Sequence, residues 1–239
     1  MKPIEYIGSQ PRKQKARNFF GGWVILLAAI GTAVFFGMKL SETVLAAGNV
    51  VSDENVVLTT EELALSGSRG DLIAIAALKR TLADVTYDES YHSIDYPGGD
   101  IPAQLGRESD VIVRSFREVG LDLQKAVHED MKENFRLYPQ IYGAAGPDHN
   151  TDHRRVPNLQ RWFNRNATEL GKSRDAADYE YGDVVAWFLS SRKTHIGIVV
   201  PGPGDLSHEK WVVHNIGAGP VWDDALFKHQ VIGHYRLEE

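Results

Sequence analysis

His195 and His214 are the residues of this 239-residue chain best suited to moving protons. His195 opens the apolar run His195-Ile196-Gly197-Ile198-Val199-Val200, after a short polar loop at 190–194. His214 lies inside a second run, Trp211-Val212-Val213-His214-Asn215-Ile216. Both runs have the length and β-branched content of strands, and Pro201-Gly202-Pro203-Gly204-Asp205 between them makes a turn. Adjacent antiparallel strands can bring two imidazoles together. Side chains alternate along a strand, so His214 and Asn215 cannot both face His195. A strand histidine is more often a hydrogen-bonded structural group than a catalyst, and spacing alone leaves both readings open. There is no cysteine, which excludes disulfides, thiolate metal ligands and a thiol nucleophile.

Upstream groups have equally strong structural readings. Asp152-His153-Arg154-Arg155 precedes Pro157 and suits a helix cap with ion pairing, or a cleft wall where an arginine grips a carboxylate through two parallel hydrogen bonds. His128-Glu129 falls in mid-helix, and His149-Asn150-Thr151-Asp152 resembles a turn more than a metal site.

The elements that must position these groups follow from periodicity. Asp71 caps a helix running to about Ala83, with Leu72, Ile75, Leu78 and Leu82 on one face. Residues 95–106 form a loop around Pro97-Gly98-Gly99-Asp100. A helix over 109–119, with Glu108 or Ser109 at its start and Gly120 at its end, buries Val111, Ile112, Ser115, Phe116 and Val119. Helices at 122–135 and 156–164 follow. Strands are expected at 184–189, 195–200, 211–216 and 229–237. Helices first and an antiparallel sheet afterwards indicate an α+β domain.

Charge is divided sharply. Lys2, Arg12, Lys13, Lys15, Arg17 and Lys39 against Glu5 alone give the first 40 residues +5, so the remainder holds −11 of the net −6. A domain this acidic does not suit a phosphate backbone, and nucleic acid is excluded as a partner. Phe19–Met38 is a run of 20 residues without a charge, enough for a helix to cross a bilayer's core of about 30 Å. Basic residues crowd its N-terminal side. The expected layout is a cytoplasmic tail at 1–18, a transmembrane helix at 19–38, a linker at 39–70 with a short helix around Thr60–Leu65, and a domain at 71–239 outside the cytoplasm. A cleaved signal peptide, cut near Val44-Leu45-Ala46, is the alternative, although the apolar run is longer than such a segment needs.

Six motifs occur in series: Tyr-Pro-Gly-Gly-Asp at 96–100, His-Glu-Asp-Met at 128–131, Asp-His-Arg-Arg-Val-Pro-Asn-Leu at 152–159, Thr-His-Ile-Gly-Ile-Val at 194–199, Val-Val-His-Asn-Ile-Gly-Ala-Gly-Pro at 212–220 and Gly-His-Tyr-Arg at 233–236. Together they resemble the bacterial family catalogued as domain of unknown function 1287. The resemblance spans about Asp71 to Leu237 and implies kinship with NlpC-type and CHAP-type papain-like peptidases of the cell wall. It implies a papain-like fold, a nucleophile at a helix N-terminus, His195 as base, and His214 or Asn215 as the residue that orients the imidazole. It places Asp110, Arg154 and Arg155 in the cleft as substrate-binding candidates.

The departure from that pattern is at the nucleophile. Where the family reads Gly-x-Cys-Thr/Ser-Asp, this chain reads Gly106-Arg107-Glu108-Ser109-Asp110. A carboxylate is a poor nucleophile toward an amide, so cysteine-protease chemistry is lost. Beside His195 it would form an ion pair. The first reading is a bacterial inner-membrane pseudoenzyme whose periplasmic domain binds a peptidoglycan stem peptide. The second is a hydrolase in which Glu108 serves as general base, or joins His195 and His214 around zinc. Ser109, about 100° around the helix, is the weakest nucleophile candidate. An adaptor for an envelope protein is the non-enzymatic competitor, and Glu108 as a simple cap or ion-pair partner of Arg107 or Arg114 is the structural alternative.

Overall fold

The computed structural model describes residue 8 and residues 52–238, apart from 142, 144 and 190–192. The expected membrane span at 19–38 and cleavage site at 44–46 lie outside the described residues. Among the described residues no helix is long and apolar enough to cross a membrane.

Helix α1 spans Asp53–Ala64 and starts at Ser52, whose hydroxyl accepts the Asn55 N–H. It buries Val56 and Leu63 in the main core, so the segment expected as a linker carries a helix that belongs to the folded unit. Helix α2, Arg69–Arg80, is capped by Ser68 rather than Asp71. The Ser68 hydroxyl accepts from the Asp71 N–H and donates to the Asp71 carboxylate, while the Ser68 N–H is taken by the Ser66 hydroxyl. Its buried residues are Ile73, Ala74, Ile75, Ala76, Ala77 and Leu78, while Leu72 and Leu82 are exposed. The expected leucine face is therefore rotated. The helix is covered over a wide arc, and its alanines allow that close approach.

Strands β1 (Thr86–Tyr87) and β2 (Leu105–Gly106) pair in parallel and close a loop over 88–104. Side chains from elsewhere add to the loop's own hydrogen bonds. Gln124 Oε1 accepts the Gly99 N–H at 2.9 Å, Gln124 Nε2 donates to the Asp95 carbonyl at 2.7 Å, and Asn150 Oδ1 accepts the Ile94 N–H at 2.9 Å. A Cβ on Gly99 would lie 1.9 Å from the Asp95 carbonyl oxygen, so only glycine fits there.

Helix α3, Glu108–Glu118, begins where the Asp110 carboxylate accepts the Arg107 N–H at 2.8 Å. Val111, Ile112, Ser115 and Phe116 are buried as expected, and Val119 is partly buried against them. Helix α4, Leu123–Asn134, is capped by Asp122. Helix α5, Val156–Asn166, has Pro157 in its first turn, where the missing N–H costs nothing.

The sheet follows: β3 (Thr168–Glu169), β4 (Val184–Phe188), β5 (Thr194–Pro201), β6 (Lys210–Asn215), β7 (Pro220–Asp223) and β8 (Gln230–Arg236). Its order is β3-β8-β4-β5-β6-β7, antiparallel throughout. The α+β arrangement of helices before an antiparallel sheet is as expected, with β3 and β7 as additional strands. Alternation divides the strands between two cores. Val184, Ala186, Ile196, Ile198 and Val213 join the helices through Ile112, Phe116 and Phe163. Val185, Trp187, Val199 and Val212 pack on the other face with Tyr179 and Leu226.

Candidate functional site

The two histidines meet. His195 opens β5, His214 sits in β6, and His195 Nε2 lies 2.8 Å from His214 Nδ1. Both are buried, 4% exposed each. Register explains the meeting: Gly197 pairs with His214 and Trp187 pairs with His195, so all four residues share one face. Gly197 makes room for this. A Cβ there would come to 2.9 Å from the Val213 carbonyl oxygen and 3.1 Å from both His214 Cβ and the Trp187 ring.

Behind His214 stands Asp223, at the end of β7. His214 Nε2 lies 3.8 Å from Asp223 Oδ2, an ionic spacing rather than a hydrogen bond, and that nitrogen has no hydrogen-bond partner. His214 and then Lys228 hold the Asp223 carboxyl down to about 2. Sequence reading missed Asp223, because the glycines at 217 and 219 make its surroundings look like loop. The signal was the hairpin: strands on either side of 216–219 put Asp223 on the same face as His214.

His195 is driven to a pKa of about 3, first by burial and then by His214, His229 and Lys193. An imidazole this weak as a base is poorly matched to proton abstraction near neutral pH.

Glu108 is elsewhere. Its carboxylate is 1% exposed and is taken by two partners, the Tyr87 hydroxyl at 2.8 Å from Oε2 and Arg107 Nη2 at 3.0 Å from Oε1. Tyr87 also bonds Glu89 at 2.7 Å, and Lys193 Nζ closes the chain by bonding Tyr87 at 3.2 Å and Glu89. Among the described residues no hydrogen bond or ion pair joins Glu108 to either histidine. The expected Glu108–His195 ion pair is not formed, and alternation gives the reason. The helix of Glu108 packs on the Ile196–Ile198 face, whereas His195 and His214 lie on the Trp187 face. Closed between Tyr87 and Arg107, Glu108 also has no open side for a water that it could activate. Among the described residues no group of three His, Cys, Asp or Glu side chains could hold a metal ion, so Glu108, His195 and His214 do not make the expected zinc set.

Asn215 faces the opposite way from His214, as alternation requires. Its Nδ2 donates to the Gly106 carbonyl at 3.4 Å and its Oδ1 accepts the Gly217 N–H at 3.0 Å. Of the two expected orienting residues, His214 is the one against His195. Ser109 is fully buried and donates to the Arg154 carbonyl at 2.8 Å, which removes it as a nucleophile.

Asp110 and Arg154, expected to bind substrate, bind each other. Arg154 Nε and Nη2 donate to the two Asp110 oxygens at 3.0 and 3.1 Å. Its remaining bonds go to the carbonyls of Ser90 and Asp88, at 3.0 and 3.1 Å. Both residues are buried, so the pair clamps the 88–104 loop to α3. Arg155 is half-buried at the start of α5, where its carbonyl accepts from the N–H groups of Asn158 and Leu159. His128 bonds Asp152 at 2.9 Å, and His234 with Arg236 surrounds the buried Asp183.

Comparison with known proteins agrees with the motif series. Residues 74–237 match the family described as a domain of unknown function (DUF1287). The chain is 44% identical over 164 residues to the "Uncharacterized protein YijF" of Escherichia coli (strain K12), an alignment covering 69% of this chain and 80% of that protein.

Proposed function

This chain belongs to the DUF1287 family, and we propose that within it the domain is a papain-like pseudoenzyme that binds a peptidoglycan stem peptide without cutting it. The membrane anchor at 19–38 would hold it on the outer side of a bacterial inner membrane. One observation carries the non-hydrolytic part: Glu108, at the start of α3, is held between Tyr87 and Arg107, and among the described residues no hydrogen bond or ion pair joins it to the His195–His214 pair. Amide hydrolysis needs a nucleophile or an activated water within hydrogen-bond reach of the base. Neither Glu108 nor Ser109 meets that condition. His195, with its pKa near 3, is also a weak base. The choice of a cell-wall peptide as ligand rests on the resemblance to NlpC-type and CHAP-type peptidases.

The test uses the full-length chain in detergent with purified muropeptides, followed by calorimetry for binding and mass spectrometry for products. Saturable binding with no new product is expected. Glu108→Cys is expected to stay inactive as well, because His195 faces the other side of the sheet. Cleavage by the wild-type protein would overturn the pseudoenzyme reading, and cleavage by Glu108→Cys alone would overturn the placement of His195 away from position 108. Absence of both binding and cleavage, with and without added zinc, would remove peptidoglycan as the ligand.

A further inference from the structure

A cavity of about 330 Å³ opens beside α3, on a different set of side chains from the histidine pair. Four arginines line it: Arg80 from the end of α2, Arg107 from the start of α3, and Arg114 and Arg117 from one stripe of α3. Asp100, Asp110, Glu118 and Asn215 complete the polar wall. The local acids engage part of each guanidinium. Glu118 takes Arg80, Glu108 takes Arg107 Nη2 at 3.0 Å, and Asp100 takes Arg114 Nε at 2.9 Å and Arg117 Nη1 at 3.4 Å. Asp110, also in the lining, is held with both oxygens by Arg154.

What these acids leave unmet is the Nε–H of Arg80, Arg107 and Arg117, each buried without an acceptor. A buried donor without an acceptor is costly to leave unmet. The three side chains that carry these buried Nε–H groups line one cavity, with Asp100, Asp110 and Glu118 beside them. Guanidinium forks match planar carboxylates and phosphates, and the cavity has the volume for a small ligand bearing one such group.

We propose that this arginine-lined cavity binds the free carboxylate of a small ligand, such as the C-terminal end of a short peptide. It stands apart from the stem-peptide reading, since it uses neither His195 nor His214 and does not depend on whether the domain hydrolyses anything.

The experiment is calorimetry on the full-length chain with three probes: an N-acetylated dipeptide with a free C-terminus, the same dipeptide as its amide, and inorganic phosphate. Saturable binding of the acid, with at least tenfold weaker binding of the amide, is expected. Arg117→Gln should weaken the acid roughly tenfold or more, since a charge-assisted hydrogen bond is worth about 1.5–3 kcal/mol. Arg80→Gln gives the same reading if Arg117→Gln does not fold. Equal binding of acid and amide, no saturable binding of the acid, or affinity unchanged in both variants would overturn the proposal. Saturable phosphate binding without acid binding would overturn the carboxylate assignment and make this a phosphate site.

Discussion

Arg154→Met is the perturbation whose outcome the structure determines most directly. The side chain is 4% exposed and makes four hydrogen bonds, two to Asp110 and one each to the carbonyls of Asp88 and Ser90. Methionine fills much of the same volume and supplies none of the donors. Asp110 would keep only the Arg107 N–H as a partner, while its charge stays buried. Removing one member of a buried ion pair typically costs about 3–5 kcal/mol. In a folded unit spanning Val51–Glu239, that corresponds to a fall in Tm of roughly 6–20 °C. The assay is urea unfolding followed by circular dichroism, with Arg154→Met, Asp110→Asn and the double variant forming a cycle. The double variant should be less destabilised than the sum of the singles, because it no longer buries an unpaired carboxylate. A loss below about 1 kcal/mol in Arg154→Met, together with loss of muropeptide binding, would refute the clamp and return Arg154 to the cleft wall.

Two further predictions concern the histidine pair. Gly197→Ala should destabilise the fold by about 1–3 kcal/mol, since its new methyl meets the Val213 carbonyl, His214 and Trp187 at once; urea midpoints check this. His195 has its folded pKa lowered to about 3 from the usual 6.5. Its neutral form is thus favoured by folding, and that stability is present above pH 6.5 and is lost as pH falls toward 3. His195→Gln should flatten the loss of stability over that range by up to about 1.4 kcal/mol per pH unit, and a slope identical to wild type would contradict the burial argument.

The sequence was most informative where local chemistry is self-contained. Helix α3 lies within a residue of its expected bounds, because Glu108 or Ser109 at its start and Gly120 at its end could be read, although the carboxylate that caps it is that of Asp110. The four long strands were readable from β-branched runs, and the His195–His214 pairing from their adjacency. Less could be read where tertiary contact decides. Helix α2 buries alanines that hydrophobicity ranks below Leu72 and Leu82, because its neighbours enclose it on several sides. Asp110 and Arg154, 44 positions apart, satisfy each other rather than a ligand, and no local pattern announces such a pair. Glu108 shows the same limit. The residue order placed it at a helix N-terminus, but the face of the sheet that His195 occupies depends on a strand register that comes from the whole fold.

The loop over 88–104 has a mechanical consequence. Only two residue pairs tie its neck, and most of what holds the rest comes from α3, α4 and the segment around Asn150 and Arg154. Its rigidity is therefore borrowed. Such a loop cannot open alone without breaking bonds owned by both helices, so it should come apart with them as one cooperative unit. The amide protons of Ile94 and Gly99, though carried on irregular backbone, should then exchange as slowly as those in the middle of a helix.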